Sequence, residues 1–174
     1  SEFIAERAYP DMIQKAKRTA LLSKADLVSQ MVFEFPSLQG IMGREYALLS
    51  GEEEEVAAGI YEHYLPKSAD SELPGSPVGI VVSLADKLDS VVGCFGVSLI
   101  PTGSADPYAL RRQASGVIRI IVASGLRLSL GEIIDKSLDL LSGKVKRSPD
   151  EVKKDVLEFV RDRVGPLLRS EGVR

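Results

Sequence analysis

Three Ser-X-X-Glu steps, at Ser50–Glu53, Ser129–Glu132 and Ser148–Glu151, punctuate the chain in the pattern that opens an α-helix. Two proline starts, Ser76-Pro77 and Asp106-Pro107, add further helix N-termini, because proline is tolerated where no backbone donor is needed. Between such signals the apolar residues recur at helical steps. From Pro10 to Phe35 they fall at Leu21, Ala25, Val28, Val32 and Phe35, with Ala20, Leu27 and Met31 widening the stripe. A short helix is expected around Arg44 to Leu49. The helix opened by Ser50 carries Val56, Ile60 and Tyr64 and ends at Leu65-Pro66. Helices from Pro77 through Leu99, from Pro107 to Gly125, from Ser129 to Gly143 and from Ser148 follow, the last bent or ended at Gly165-Pro166. Neither strand alternation nor an internal repeat is present, so the fold class is all-α. A core bundle is expected over residues 1–125, with a helical extension over 126–174.

The apolar run over residues 78–100 is long enough for a membrane span, but Asp86, Lys87 and Asp89 sit at its centre, where charge is costly in lipid. It reads as a buried helix of a protein with no membrane partner. The same aspartates pose a chemical question. Three residues apart, they share a helix face that either looks at water or carries a site.

Residue counts narrow the possible sites. One cysteine, Cys94, excludes disulfides within the chain and cysteine-rich zinc sites, and fits a reducing cytoplasm. One histidine, His63, removes every arrangement that needs two imidazoles. A net charge of −3 over 174 residues gives no global basic field, so nucleic acid must be met by local patches. The start "SEFIAERAY" lacks Met and a signal-peptide pattern, and is expected to be that of an excised piece with a cloning remnant over Ser1–Phe3.

Candidate residues carry two readings each. His63 in "YEHYLP" is a general base, or a donor to the carbonyl end of its helix. Cys94 is a nucleophile, or a small core residue. The glycines of "QGIMG" make no phosphate loop, having neither a preceding strand nor a following Lys-Ser/Thr pair. The acidic run Glu52–Glu55 needs no ligand, since a helix N-terminus favours negative charge. Arg111, Arg112 and Arg119 on one helix, and Lys144, Lys146 and Arg147 in a loop, are candidate phosphate contacts or solvated cations.

Part of the layout resembles a metal-dependent HD phosphohydrolase acting on a nucleotide or phosphate ester. Ala25-Asp26 stands where the His-Asp pair would be, and Asp86 in "LADKLD" stands at the closing ligand position. No histidine precedes Asp26, and two carboxylates do not build the usual transition-metal site.

Longer motifs carry a more specific resemblance. "KADLVSQMVFEFPSLQGIMGREYALLSGE", "EHYLPKSADSELP", "SLADKLDSVVGCF" and "LIPTGSADPYALRRQASGVIRII" resemble, in order and spacing, the HD-like region of bacterial glycyl-tRNA synthetase β subunits, densely from Lys24 to Ile121. The later helices resemble the segment leading toward the anticodon-binding region, and the chain ends at "LLRSEGVR", before that portion should be complete. The resemblance implies an HD-domain-like bundle whose site has decayed, with no catalytic residue and no metal or cofactor of its own. It implies a cytoplasmic heterotetramer in which the α subunit, using ATP and magnesium, attaches glycine to tRNA(Gly). The rest of the β subunit would supply most of the tRNA recognition, and this stretch alone would be inactive.

Within the degenerate site the candidates are Lys24, Asp26, His63 and Asp86. Lys24 falls in the middle of the expected apolar arc, an unlikely place for an ammonium without a carboxylate, and Asp86 has the matching problem. A buried Lys24–Asp86 pair in place of the lost metal is therefore expected, shared with Asp26 or His63, and costly to break.

Overall fold

A computed structural model describes residues 1–170, with the side chains of 168 and 170 left out; residues 171–174, the end of the "LLRSEGVR" segment, lie outside the described residues. The described residues form helices α1 (Glu2–Ala8), α2 (Ile13–Leu22), α3 (Gln30–Glu34), α4 (Ile41–Leu49), α5 (Glu54–Glu62), α6 (Pro77–Gly96), α7 (Leu110–Ala123), α8 (Leu130–Leu140) and α9 (Pro149–Ser170). Among them the only extended pairing is an isolated bridge between Thr102 and Ala105. The all-α expectation holds.

Contacts divide the chain into compact units over residues 1–86 and 87–174, so the change falls inside α6 and not near residue 125. In the first unit α5 packs against α2 and α4, and α1 against α2. Ala47, Val56, Ala57 and Ile60 form its buried cluster, with Leu22 against them. Close approach there depends on a glycine: a Cβ on Gly59 would stand 2.8 Å from Val78 Cγ1 and 2.9 Å from Thr19 Cγ2. In the second unit α7 and α8 both pack on α9. Leu110, Ala114 and Ile118 on α7, Ile134 and Leu138 on α8, and Val152, Val156 and Val160 on α9 meet Val91, Val92 and Phe95. These are the four-residue steps that put one apolar stripe on each helix. This packing is what draws α7 into the second unit.

The expected helix from Pro10 to Phe35 is broken. A 3₁₀ turn at Pro10–Met12 leads into α2, and after Leu22 a second turn at Ala25–Val28 precedes α3. Short polar side chains compete with the helical ladder here. Ser23 Oγ donates to Ala20 O at 3.0 Å, and Ser29 Oγ donates to Asp26 O at 2.7 Å while accepting from Val32 N as the cap of α3. The break changes which side chains are buried. Leu21, Leu27, Val28, Met31 and Phe35 of the expected apolar stripe are exposed, and Asp26 is buried.

Helix boundaries differ elsewhere too, α6 ending at Gly96 and not at Leu99. Ser50 does not cap α5: it closes α4, with its N–H donating to Tyr46 O, and Gly51 at φ +82° turns the chain. Glu53 stands at the cap position of α5 without a side-chain cap bond, and Glu54 and Glu55 supply the first-turn negative charge. Asp106 does cap a helix, its carboxylate accepting from Leu110 N at 2.8 Å and Arg111 N at 3.0 Å, but the helix starts at Leu110 beyond a left-handed Ala109. Pro166 is accommodated within α9. Ser129 and Ser148 cap as the pattern requires, each accepting at 3.3 Å from the N–H of the glutamate three residues on.

Candidate functional site

Asp26 is the first residue of the site that the fold turns inward. Held by the 3₁₀ turn, it is 3% exposed, and its Oδ2 accepts from Gly40 N at 2.6 Å. Its Oδ1 is buried without a hydrogen bond from the described residues. Two glycines make room for the carboxylate. A Cβ on Gly43 would lie 3.1 Å from Asp26 Oδ2, and Gly40, at φ +81°, lies so close to Tyr64 that a Cβ would stand 2.6 Å from its ring. The "QGIMG" stretch thus cradles a protein carboxylate, which accounts for its glycines without a phosphate ligand.

Tyr64 is raised in pKa, first by burial; the Gln39 side chain opposes the shift, and the negative charges of Asp26 and Asp86 add to it. Its ring stacks at 3.8 Å, tilted 42°, on His63. His63 is fully buried at the end of α5, and its Nδ1 lies 2.6 Å from Ile60 O. A carbonyl only accepts, so Nδ1 carries the proton in that bond. In that bond His63 donates to the carbonyl end of its own helix.

Lys24 and Asp86 do meet, Nζ to Oδ1 at 2.5 Å. The environment differs from the expected one, because the side chains are 49% and 25% exposed. Lys24 follows the end of α2 and does not sit in an apolar arc, since the helix that would have formed that arc is interrupted. Asp86 and Asp89 also differ: Asp89 is exposed and accepts from Ser137 Oγ at 3.3 Å. Between them Lys87 is buried.

The donor set does not suit a transition metal. No group of three or more His, Cys, Asp or Glu residues among the described residues is placed to hold one. Cys94 is half-buried against the α7–α9 core, and burial pushes its thiol up, away from a nucleophilic thiolate.

A carboxylate that sequence reading missed closes the start of α6. Glu62 accepts from Gly75 N at 3.2 Å, from Ser76 N at 3.0 Å and from Ser76 Oγ at 2.5 Å, while Ser76 Oγ accepts from Gly79 N at 2.9 Å. The positive end of α6 is therefore occupied by the protein's own anion. Its only sequence signal is an acidic residue shortly before a Pro/Gly loop.

The basic candidates separate by what they already hold. Arg111 Nη2 donates to Gly103 O at 2.8 Å, and Arg147 donates to Asp155 at 2.6 Å and to Phe95 O at 3.4 Å, so both brace the second unit. Arg119 is half-buried. Arg112, Lys144 and Lys146 present exposed cations, the first on α7 and the others in the loop between α8 and α9.

The described residues are thus helical, with the Asp26 carboxylate held by Gly40 N and the Asp86 carboxylate paired with Lys24. The family described as "Glycyl-tRNA synthetase beta subunit" matches residues 1–174, and the chain belongs to it. Among curated relatives, a "Glycine--tRNA ligase beta subunit" of Geobacter metallireducens is 60% identical over 168 residues, covering 97% of this chain and 24% of the relative. Proteins of the same description from Trichlorobacter lovleyi and Syntrophotalea carbinolica are 61% and 54% identical, over 94% and 98% of this chain and 24% and 25% of theirs. The chain spans about a quarter of the length of these relatives.

Proposed function

We propose that this chain is a catalytically silent, HD-like region of a glycyl-tRNA synthetase β subunit, serving the ATP-dependent attachment of glycine to tRNA. Its role is to face tRNA(Gly) and to support the subunit's architecture. The chemistry belongs to the α subunit, which uses ATP and magnesium, within a cytoplasmic α/β heterotetramer. The observation that carries the reading is the Lys24–Asp86 ion pair, which puts a protein ammonium on the carboxylate that an HD hydrolase would give to a metal. Membership of the β-subunit family and the occupied Asp26 carboxylate support it. A phosphohydrolase would need ligands that the described residues do not bring together.

On this reading, tRNA phosphates are met by Arg112, Lys144 and Lys146, with Arg119 further along α7 from Arg112. The test uses the reconstituted α/β enzyme with Arg112→Glu, Lys144→Glu and Lys146→Glu combined. The expected result is a rise of roughly tenfold in KM for tRNA, with glycine-dependent ATP–pyrophosphate exchange unchanged. An unchanged KM would leave only the architectural role.

A further inference from the structure

Two buried oxygens beside Gly40, Asp26 Oδ1 and the Tyr64 hydroxyl, complete no hydrogen bond with the described residues. Gly40 brings them to one place. Its N–H donates to the other Asp26 oxygen, Oδ2, at 2.6 Å, while a Cβ on it would stand 2.6 Å from Tyr64 Cδ2 and 3.0 Å from Cε2, the ring edge that leads to the hydroxyl. The carboxylate and the phenol therefore flank a single residue, yet they do not bond each other. Burial raises the Tyr64 pKa first, and the Asp26 charge adds to the shift against the Gln39 side chain, so the phenol keeps its proton and remains a donor. A buried carboxylate oxygen without a donor and a buried hydroxyl without an acceptor each cost free energy that a group bridging the two recovers.

We infer that one ordered water molecule is bound between Asp26 Oδ1 and the Tyr64 hydroxyl, donating to the carboxylate and accepting from the phenol. The inference goes beyond the proposed function and stands independently of it. Three observations select water over other occupants. Lys24, two residues from Asp26, is committed to Asp86, so it does not supply the missing donor. A hard cation takes about six oxygen ligands, and no group of three or more His, Cys, Asp or Glu among the described residues is placed to hold a metal ion. A buried water needs only about two to four polar partners, and Asp26, Tyr64 and the neighbouring Gln39 side chain are present to supply them. With Gly40 N on one oxygen and this water on the other, both Asp26 oxygens are engaged without a metal.

The experiment is a crystal structure of the α/β enzyme at a resolution that shows ordered water, for wild type and for Tyr64→Phe, which keeps the ring against Gly40 and removes only the hydroxyl. The expected wild-type result is a single density peak about 2.5–3.0 Å from both Asp26 Oδ1 and Tyr64 Oη. In Tyr64→Phe that peak should be at least about twofold weaker, because one of its partners is gone. A direct Asp26–Tyr64 hydrogen bond in wild type, or no density between the two oxygens, would overturn the inference. A peak ringed by several oxygens at about 2.0–2.6 Å would assign the place to a cation and also overturn it. An undiminished peak in Tyr64→Phe would remove the phenol as a partner, with the same consequence. The wild-type arm decides the matter even where the variant does not fold. Neither arm reads aminoacylation, so a failure of the proposed function and a failure of this inference are separately visible.

Discussion

Lys24 shows how exposure sets the energy of a contact. An ammonium and a carboxylate at 2.5 Å would be costly to separate in a dry interior, but these side chains are 49% and 25% exposed. A double-mutant cycle of Lys24→Met and Asp86→Asn should give a coupling of about 0.2–1 kcal/mol by urea unfolding, and not the 3–5 kcal/mol typical of a buried pair. Asp26 is the more consequential carboxylate, because it is buried and satisfies Gly40 N. Asp26→Ala leaves that donor buried without a partner and should cost about 1–3 kcal/mol in the same measurement. Asp26 and Asp86 stand out as candidates in "KADLV" and "LADKLD", but the apolar arc expected around Lys24 does not form. Helical periodicity assigns faces only while the helix continues, and hydrogen bonds from Ser23 and Ser29 help end it.

At the scale of elements, the start of α6 and the pairing of α2 with the segment entering α5 carry the testable chemistry. A Cβ on Gly79 would stand 1.9 Å from Glu62 Oε2 and 2.6 Å from Glu62 Cβ. In an open helix Gly→Ala gains about 1 kcal/mol; here Gly79→Ala should lose about 1–3 kcal/mol, because it displaces the cap. Thermal unfolding of Gly79→Ala beside Glu62→Ala reads the change of sign. On α2, Lys15 bonds Glu55 at 2.8 Å and Glu53 at 3.0 Å, and Arg18 bonds Glu52. The Arg18 hydrogen bond lowers the Glu52 carboxyl and the Lys15 hydrogen bond lowers Glu55, from an ordinary 4.5, while Lys15 is raised from 10.5 by Glu55 and Glu53. Carboxyls depressed in the folded state stabilise it above pH 4.5 and lose that effect as pH falls through their folded values. The raised lysine contributes below pH 10.5 and loses its contribution above. The Tm gap between wild type and a Lys15→Gln/Arg18→Gln variant should therefore be present at pH 7 and shrink as the pH falls from 4.5 through the folded values of Glu52 and Glu55.

For the whole molecule, the sign and number of free charges limit what it does alone. With a net charge of −3 and three exposed candidate cations, the isolated chain should bind tRNA weakly. The slope of log affinity against log salt should be no steeper than about −3, measured by fluorescence anisotropy of labelled tRNA. A markedly steeper slope would mean that cations outside Arg112, Lys144 and Lys146 join the contact. The sequence by itself determined the all-helical class, the caps at Ser129 and Ser148 and the family, because these rest on local hydrogen bonding, apolar spacing and long ordered motifs. Only the tertiary structure decided that Asp26 is buried, that Lys24 stays in water, that Glu62 caps α6 and that Arg111 and Arg147 are braces. Each of those outcomes depends on a partner distant in the chain or on where a helix stops, and neither periodicity nor residue type encodes what a side chain will meet once the backbone turns.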